Sequence, residues 1–272
     1  MKAIVNKQIC SLHSRPTRES TLSDEVLYGM VVDIMEEPVT GWYRVRTHYN
    51  YEGMVSAEDL LLDGAEDWER QPKLTVFHKN QCDILSEPKV QGYPMQALTR
   101  GAVVIPEGTP ADGWQKVHLA DGRTGFVPAA IMAPLPTEPV SRDEATLRKA
   151  LVDTAMLYQG THYRWGGKSP LGIDCSGLCS MAYMLCGILI YRDVKITKDF
   201  PLHEIPMERI GPGDLIFFPG HVAMYIGNNR YCHSTAKTGS NGFTVNSLNP
   251  KDADYREDLH NTITQVGSYF NF

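Results

Sequence analysis

Several things are scarce in these 272 residues. No apolar run approaches the roughly 20 residues that a membrane-spanning helix needs; the nearest candidate, around Leu178 to Ile190, is too short. The opening segment, MKAIVNKQICSLHSRP, lacks the apolar core of a secretory signal, so a cytoplasmic location is expected. Positive charge is in deficit: 26 Lys and Arg against 32 Asp and Glu leave a formal charge of −6, with no basic run. Nucleic acid and anionic membrane surfaces are therefore poor partners. Cysteine is sparse as well. Six residues, Cys10, Cys82, Cys175, Cys179, Cys186 and Cys232, lie far apart in a long chain, which predicts reduced thiols and not a disulfide scaffold.

What is present describes an ordinary globular protein, 42% hydrophobic and 21% charged, of a length that suggests more than one domain. The first half repeats itself. GWYRVRTHYNYEGMVSAEDL, from Gly41, and GWQKVHLADGRTGFVPAAIM, from Gly113, share a Gly-Trp pair, a valine three residues later and a Gly-(Met/Phe)-Val triplet. Upstream of each, LYGMVVDIM matches LTRGAVVIP. Short alternating runs broken by Gly, Pro and Asp predict two small β-barrels, residues 1–64 and 65–136. Domains that small bury little, so each is expected to lean on its neighbour.

The proline-rich segment PLPTEPVSRDEATLRK, from Pro134, reads as a semi-rigid linker into a third domain, 137–272. Ser141 with Glu144 gives a capping box, and Leu147, Leu151 and Ala155 continue at helical spacing.

The stretch GIDCSGL, from Gly172, sets the chemical question. Asp174 as N-cap places Cys175 in the first turn of a helix whose buried face is Leu178, Met181, Ala182 and Leu185. A helix N-terminus and a nearby imidazolium are expected to lower a thiol's pKa, as a nucleophile requires. Gly172 and Gly177 allow backbone to approach closely on both sides of the sulfur. The backbone N–H of Cys175 is available to an oxyanion. A base comes from GDLIFFPGHVAMYIGNNRYCHSTA, from Gly213. A hairpin centred on Gly227 would set His221 and His233 opposite each other on one face, offering a base and its orienting partner. Cys179 and Cys186 read as buried apolar fillers, and a zinc site built from Cys179 with the histidines is disfavoured by ligand spacing. Trp165 and Trp42 suit either a substrate groove or the core. His162 is expected at the surface.

Together YRWGGKSPLGIDCSGL, PGDLIFF and HVAMYIG…YCHS resemble, in order, the signature blocks of the NlpC family of cell-wall cysteine peptidases. The resemblance covers the C-terminal half and implies an α+β architecture, with a papain-like catalytic domain after the two barrels. The barrels in turn resemble bacterial Src-homology-3-like domains, and the combination resembles the branch that cleaves γ-D-glutamyl-L-diamino acid bonds in murein peptides. The resemblance implies Cys175 as nucleophile, His221 as base, His233 as third member and Tyr163 as a hydroxyl of the oxyanion hole. No metal or organic cofactor is expected. Arg192-Asp193 matches an Arg-Asp element of that branch, and Val194-Lys195 departs from its pattern. Asp193 is the candidate carboxylate for a free substrate ammonium, with Glu25 and Tyr51 of the first barrel as further candidates. Ser176, Asp174 and Trp165 complete the expected substrate contacts. Two other readings stay open: a catalytically silent wall-binding protein, and an amidase or acyltransferase on the same scaffold.

Overall fold

The computed structural model describes residues 1–271, in two compact units, Met1–Leu135 and the remainder from Pro136. The first unit contains one chain trace written twice. Strands β1–β7 are Lys2–Val5, Ile9–His13, Leu22–Leu27, Val31–Val39, Trp42–Thr47, Glu52–Ser56 and Leu60–Leu61. Strands β8–β14 are Leu74–Val76, Gln81–Leu85, Pro94–Thr99, Val103–Ala111, Trp114–His118, Thr124–Pro128 and Met132–Pro134. The sheet orders are β3-β2-β6-β5-β4-β1-β7 and β10-β9-β13-β12-β11-β8-β14, the same topology in both copies. Each copy also has a single 3-10 turn before its last strand, Ala57–Asp59 and Ala129–Ile131. Alternation puts Cys10, Leu12, Val26, Val45 and Val55 inside the first copy and Ile84, Leu98, Val104, Val117 and Val127 inside the second.

The copies do lean on each other. Tyr28 of the first sits in the second's core with Ile84, Leu98 and Val117, and its hydroxyl accepts from the Ala120 N–H at 2.9 Å. The next residue must be glycine: at Gly29 φ is +77° and a Cβ would lie 2.2 Å from the Val103 carbonyl oxygen. Helix α1, Ala65–Arg70, closes the junction with Trp68, whose Nε1 donates to the Gly29 carbonyl at 2.7 Å.

The second unit is α+β. Strands β15 (Lys168–Ser169) and β16 (Gly172–Ile173) form a two-residue ladder. Strands β17–β22, His203–Ile205, Leu215–Phe218, His221–Gly227, Arg230–Thr235, Gly242–Ser247 and Gln265–Ser268, form an antiparallel sheet in the order β17-β22-β18-β19-β20-β21. Helices α2 (Glu144–Met156), α3 (Cys175–Met184) and the short α4 (Glu257–His260) complete it, with α2 packed on α3 and α3 on β19 and β20. The cap of α2 is Asp143 and not Ser141. Asp143 Oδ1 accepts from the Thr146 N–H at 2.9 Å, and the Ser141 hydroxyl accepts from the Asp143 N–H at 3.0 Å, one step outside the helix. Buried Arg148 of α2 pairs with Asp214 at 3.1 Å, tying helix to sheet. Among the described residues no helix is long and apolar enough to cross a membrane.

Candidate active site

Helix α3 starts where the local chemistry says it should. Asp174 is its N-cap, and Oδ1 accepts from the Gly177 N–H at 2.6 Å. Every residue of α3 is buried, so the helix runs through the interior and carries Cys175, 6% exposed, in its first turn. The loop before it presses onto that turn. A Cβ on Gly177 would lie 2.1 Å from the Gly167 carbonyl oxygen, so this contact admits only glycine.

A buried guanidinium fixes the cap. Arg192, 1% exposed, reaches Asp174 through Nη1–Oδ1 at 3.1 Å and Nη2–Oδ2 at 3.0 Å. Its Nη1 also donates to the Ser176 hydroxyl at 2.6 Å. The Gly166 N–H donates to Asp174 Oδ2 at 2.9 Å, and the Ser176 hydroxyl donates to Oδ1 at 3.3 Å. Both carboxylate oxygens thus accept hydrogen bonds within the protein, and Asp174 holds the start of the helix. Ser176, buried and engaged by Arg192, belongs to the same cluster, although it also lines a small pocket with Cys179, Tyr191, Asp193, Lys195 and Val222.

The histidines stand on adjacent strands. Asn228 and Asn229 form the tight turn with φ of 52° and 57°, and the ladder pairs Met224 with Cys232 and Tyr225 with Tyr231. His221 and His233 therefore share a face but are diagonal neighbours, not opposite ones. The hairpin is centred beyond Gly227, and an irregularity between Tyr225 and Gly227 shifts the register. Their rings meet edge to face at 4.9 Å, with His221 Nε2 and His233 Nδ1 2.6 Å apart. The remaining nitrogen of His233, Nε2, lies 2.9 Å from Asn246 Oδ1 on β21. Asn246 was not legible as a site residue. The available signal was its place on a strand whose register sets it opposite Tyr231, diagonal to His233. Ser234 adds a tie between sheet and loop, its hydroxyl donating to the Ile173 carbonyl at 2.7 Å.

The Val222 N–H, next to His221, reaches the Cys175 sulfur. The thiol's titration runs against the helix-terminus expectation. Burial and the Asp174 charge push it up to about 11, while the N–H groups of Val222 and Ser176 and the Arg192 guanidinium pull more weakly downward. Burial, then the neighbouring His233 and Arg256, take His221 down to about 3. Burial takes His233 down to about 4, opposed by its bond to Asn246. These directions favour a thiol and two neutral imidazoles at neutral pH. Burial, with the Cys175 and Asp174 charges, takes the Tyr163 hydroxyl to about 12, so it is a donor at neutral pH.

Cys175, His221, His233 and Tyr163 all lie in the second unit, and Asp193 lies on the exposed loop that follows Arg192. Trp165, 65% exposed, is not a core residue, and His162 is at the surface. Cys179 and Cys186 are buried. Glu25 and Tyr51 lie in the first unit: Glu25 is 1% exposed on β3, and Tyr51 is half-buried, its N–H donating to the Thr47 hydroxyl. Among the described residues no group of three or more His, Cys, Asp or Glu side chains is placed to hold a metal ion.

Five similarities bear on this arrangement. The profile of the NlpC/P60 family matches residues 160–256, and that of the bacterial dipeptidyl-peptidase Sh3 domain matches residues 12–60. Dipeptidyl-peptidase 6 of Lysinibacillus sphaericus is 43% identical, covering 99% of this chain and 100% of its own. A γ-D-glutamyl-L-lysine dipeptidyl-peptidase of Bacillus subtilis is 33% identical over 44% of this chain and 42% of its own. The crystal structure of an NlpC/P60 family protein from Bacillus cereus superposes with a TM-score of 0.81 over 99% of both chains at 19% identity, a likeness of fold.

Proposed function

The chain belongs to the NlpC/P60 family, and from that premise we propose that it is a cysteine peptidase that hydrolyses the γ-D-glutamyl-L-diamino acid bond of murein peptides. One observation carries the chemistry: Cys175 opens α3 beside Val222, and the adjacent His221 is backed by His233 at 2.6 Å. As sulfur attacks the γ-carbonyl carbon, the thiol proton passes to His221, whose Nδ1 is the nitrogen that His233 leaves open. The carbonyl oxygen becomes an anion held by the Cys175 N–H and the Tyr163 hydroxyl. The C–N bond breaks as His221 returns the proton to the leaving amine, and a thioester remains. Water then attacks the thioester and gives a proton to His221. The C–S bond breaks, and the sulfur recovers its proton. Because the resting pair is neutral, proton transfer accompanies attack, with no preformed thiolate.

Mass spectrometry of products from L-Ala-γ-D-Glu-L-Lys and its diaminopimelate counterpart tests this reading. The expected product is L-Ala-γ-D-Glu, and cleavage elsewhere, or none, overturns it. Recycling of released peptides in the cytoplasm is the role that fits, and it requires a free N-terminus on the substrate. Asp193 is the carboxylate for that ammonium. Acetylating the tripeptide should lower kcat/KM by at least about 100-fold, the loss of one charged contact. Asp193→Asn should erase most of the difference. Equal cleavage of free and acetylated peptides would remove the free-amine requirement.

A further inference from the structure

We infer that Asn246 is a positioning residue that fixes the tautomers of both site histidines, and through them leaves His221 Nδ1 as the base. The inference rests on the peptidase reading for its consequence but not for its geometry. A backbone carbonyl can only accept, and Asn246 Nδ2 lies 2.7 Å from the Asp254 carbonyl oxygen, so that end of the amide is the NH2. Oδ1 is thereby turned toward His233 Nε2 at 2.9 Å as an acceptor, and His233 must carry its proton on Nε2. His233 Nδ1 is then bare, and at 2.6 Å it accepts from His221, which must carry its proton on Nε2 in turn. His221 Nδ1 is left unprotonated. One carbonyl of the segment after β21 dictates, through three hydrogen bonds across three adjacent strands, which nitrogen can take a proton from sulfur. Arg256 and Asp258, one charge of each sign, and the Tyr231 ring at 5.2 Å are the other groups bearing on His233; none of them supplies an acceptor bond in place of Asn246.

Without the acceptor, His233 can shift its proton to Nδ1. Two N–H groups would then face each other unless His221 also switched, which would put a proton on Nδ1 and remove the base. Asn246→Leu should therefore lower kcat by about 10- to 100-fold with KM little changed, the scale of losing a group that orients another. Asn246→Asp keeps an acceptor for His233 Nε2–H but loses the donor that faces the Asp254 carbonyl, so it should recover part of the kcat lost in Asn246→Leu, with the acid limb of the pH profile moved upward by the new charge.

The decisive readout needs neither substrate nor variant. Two-bond 1H–15N spectra of the full chain at pH 7 should show both His221 and His233 as Nε2–H tautomers. An Nδ1–H signature at either residue overturns the inference, whether or not Asn246→Leu folds. Wild-type kcat and unshifted tautomers in a folded Asn246→Leu would overturn it equally. If the tautomers are as stated but no murein peptide is cleaved, the peptidase reading fails and the tautomer assignment stands.

Discussion

In residues 1–135 the interior is mainly two matching rows of aliphatic side chains, whereas after Pro136 the interior around α3 holds two hydrogen-bonded polar sets, a guanidinium with a carboxylate and a hydroxyl, and two imidazoles with an amide. The first unit does bury carboxylates, Asp24 and Glu25 on β3, and the Tyr49 hydroxyl donates to Asp24 Oδ2 at 2.5 Å. The second copy has Gln96 and Ala97 in the corresponding strand. The contrast separates two uses of burial. Apolar rows stabilise in proportion to area and fail gradually. A satisfied polar cluster contributes little net stability but holds one arrangement, so a single change there alters chemistry before it alters folding.

The largest expected effect lies in the second unit. Cys175→Ala should lower kcat/KM by more than about 10^4-fold, because the nucleophile of a cooperating set cannot be replaced by its partners. Its thermal midpoint should stay near wild type. Residual activity above one tenth of wild type would remove Cys175 from the mechanism and collapse the contrast.

The opposite pattern is expected in the first unit. Leu98 is fully buried among Tyr28, Ile84 and Val117. Leu98→Ala should cost about 2–5 kcal/mol of stability through lost burial and a residual cavity. Denaturant unfolding measures that loss, and kcat per folded molecule should be unchanged. A fall in kcat without a fall in stability would mean that the barrels take part in chemistry as well as in folding.

What could be read beforehand divides along the same line. The repeat was legible because matched turns and alternating strands are local patterns, and the start of α3 because an N-cap acts within three residues of itself. The hairpin parity was legible, but the register was not, since the Asn228-Asn229 turn and the irregularity before it are set by backbone conformation. Ser141 looked like the cap of α2 because the Ser-x-x-Glu spacing is common, but Asp143 is nearer and its carboxylate is the better acceptor. The depth of the site was not legible at all. Arg192 meets Asp174 from 18 residues away and Asn246 meets His233 from 13, and no local pattern announces either partnership. For the same reason the direction of the Cys175 shift was missed: the helix terminus is local, and the burial that outweighs it is not.

Acid gives the smallest effect and the finest test of the contrast. An ordinary imidazole titrates near 6.5, but burial holds His221 near 3 and His233 near 4. A base works only when neutral, so a lowered pKa moves the acid limb of kcat/KM downward. Half-maximal activity should fall below about pH 5, well under the value for a free imidazole. The same shift carries a cost in stability, with a definite sign. Between pH 6.5 and about 4 the unfolded chain protonates these imidazoles and the folded chain does not, so the unfolded state binds more protons and stability is lost as pH falls through that window. Each fully shielded group contributes about 1.4 kcal/mol per pH unit, less for the partly accessible His221. The loss should begin in the sheet that carries the histidines. Hydrogen exchange read peptide by peptide at pH 7 and pH 5 should show protection falling first across residues 215–247, with the barrel strands unchanged. Enzyme at pH 5 should remain active while it is less stable. An acid limb centred near 6.5, with no loss of protection in that sheet, would mean that the imidazoles titrate freely and that the neutral resting pair is wrong.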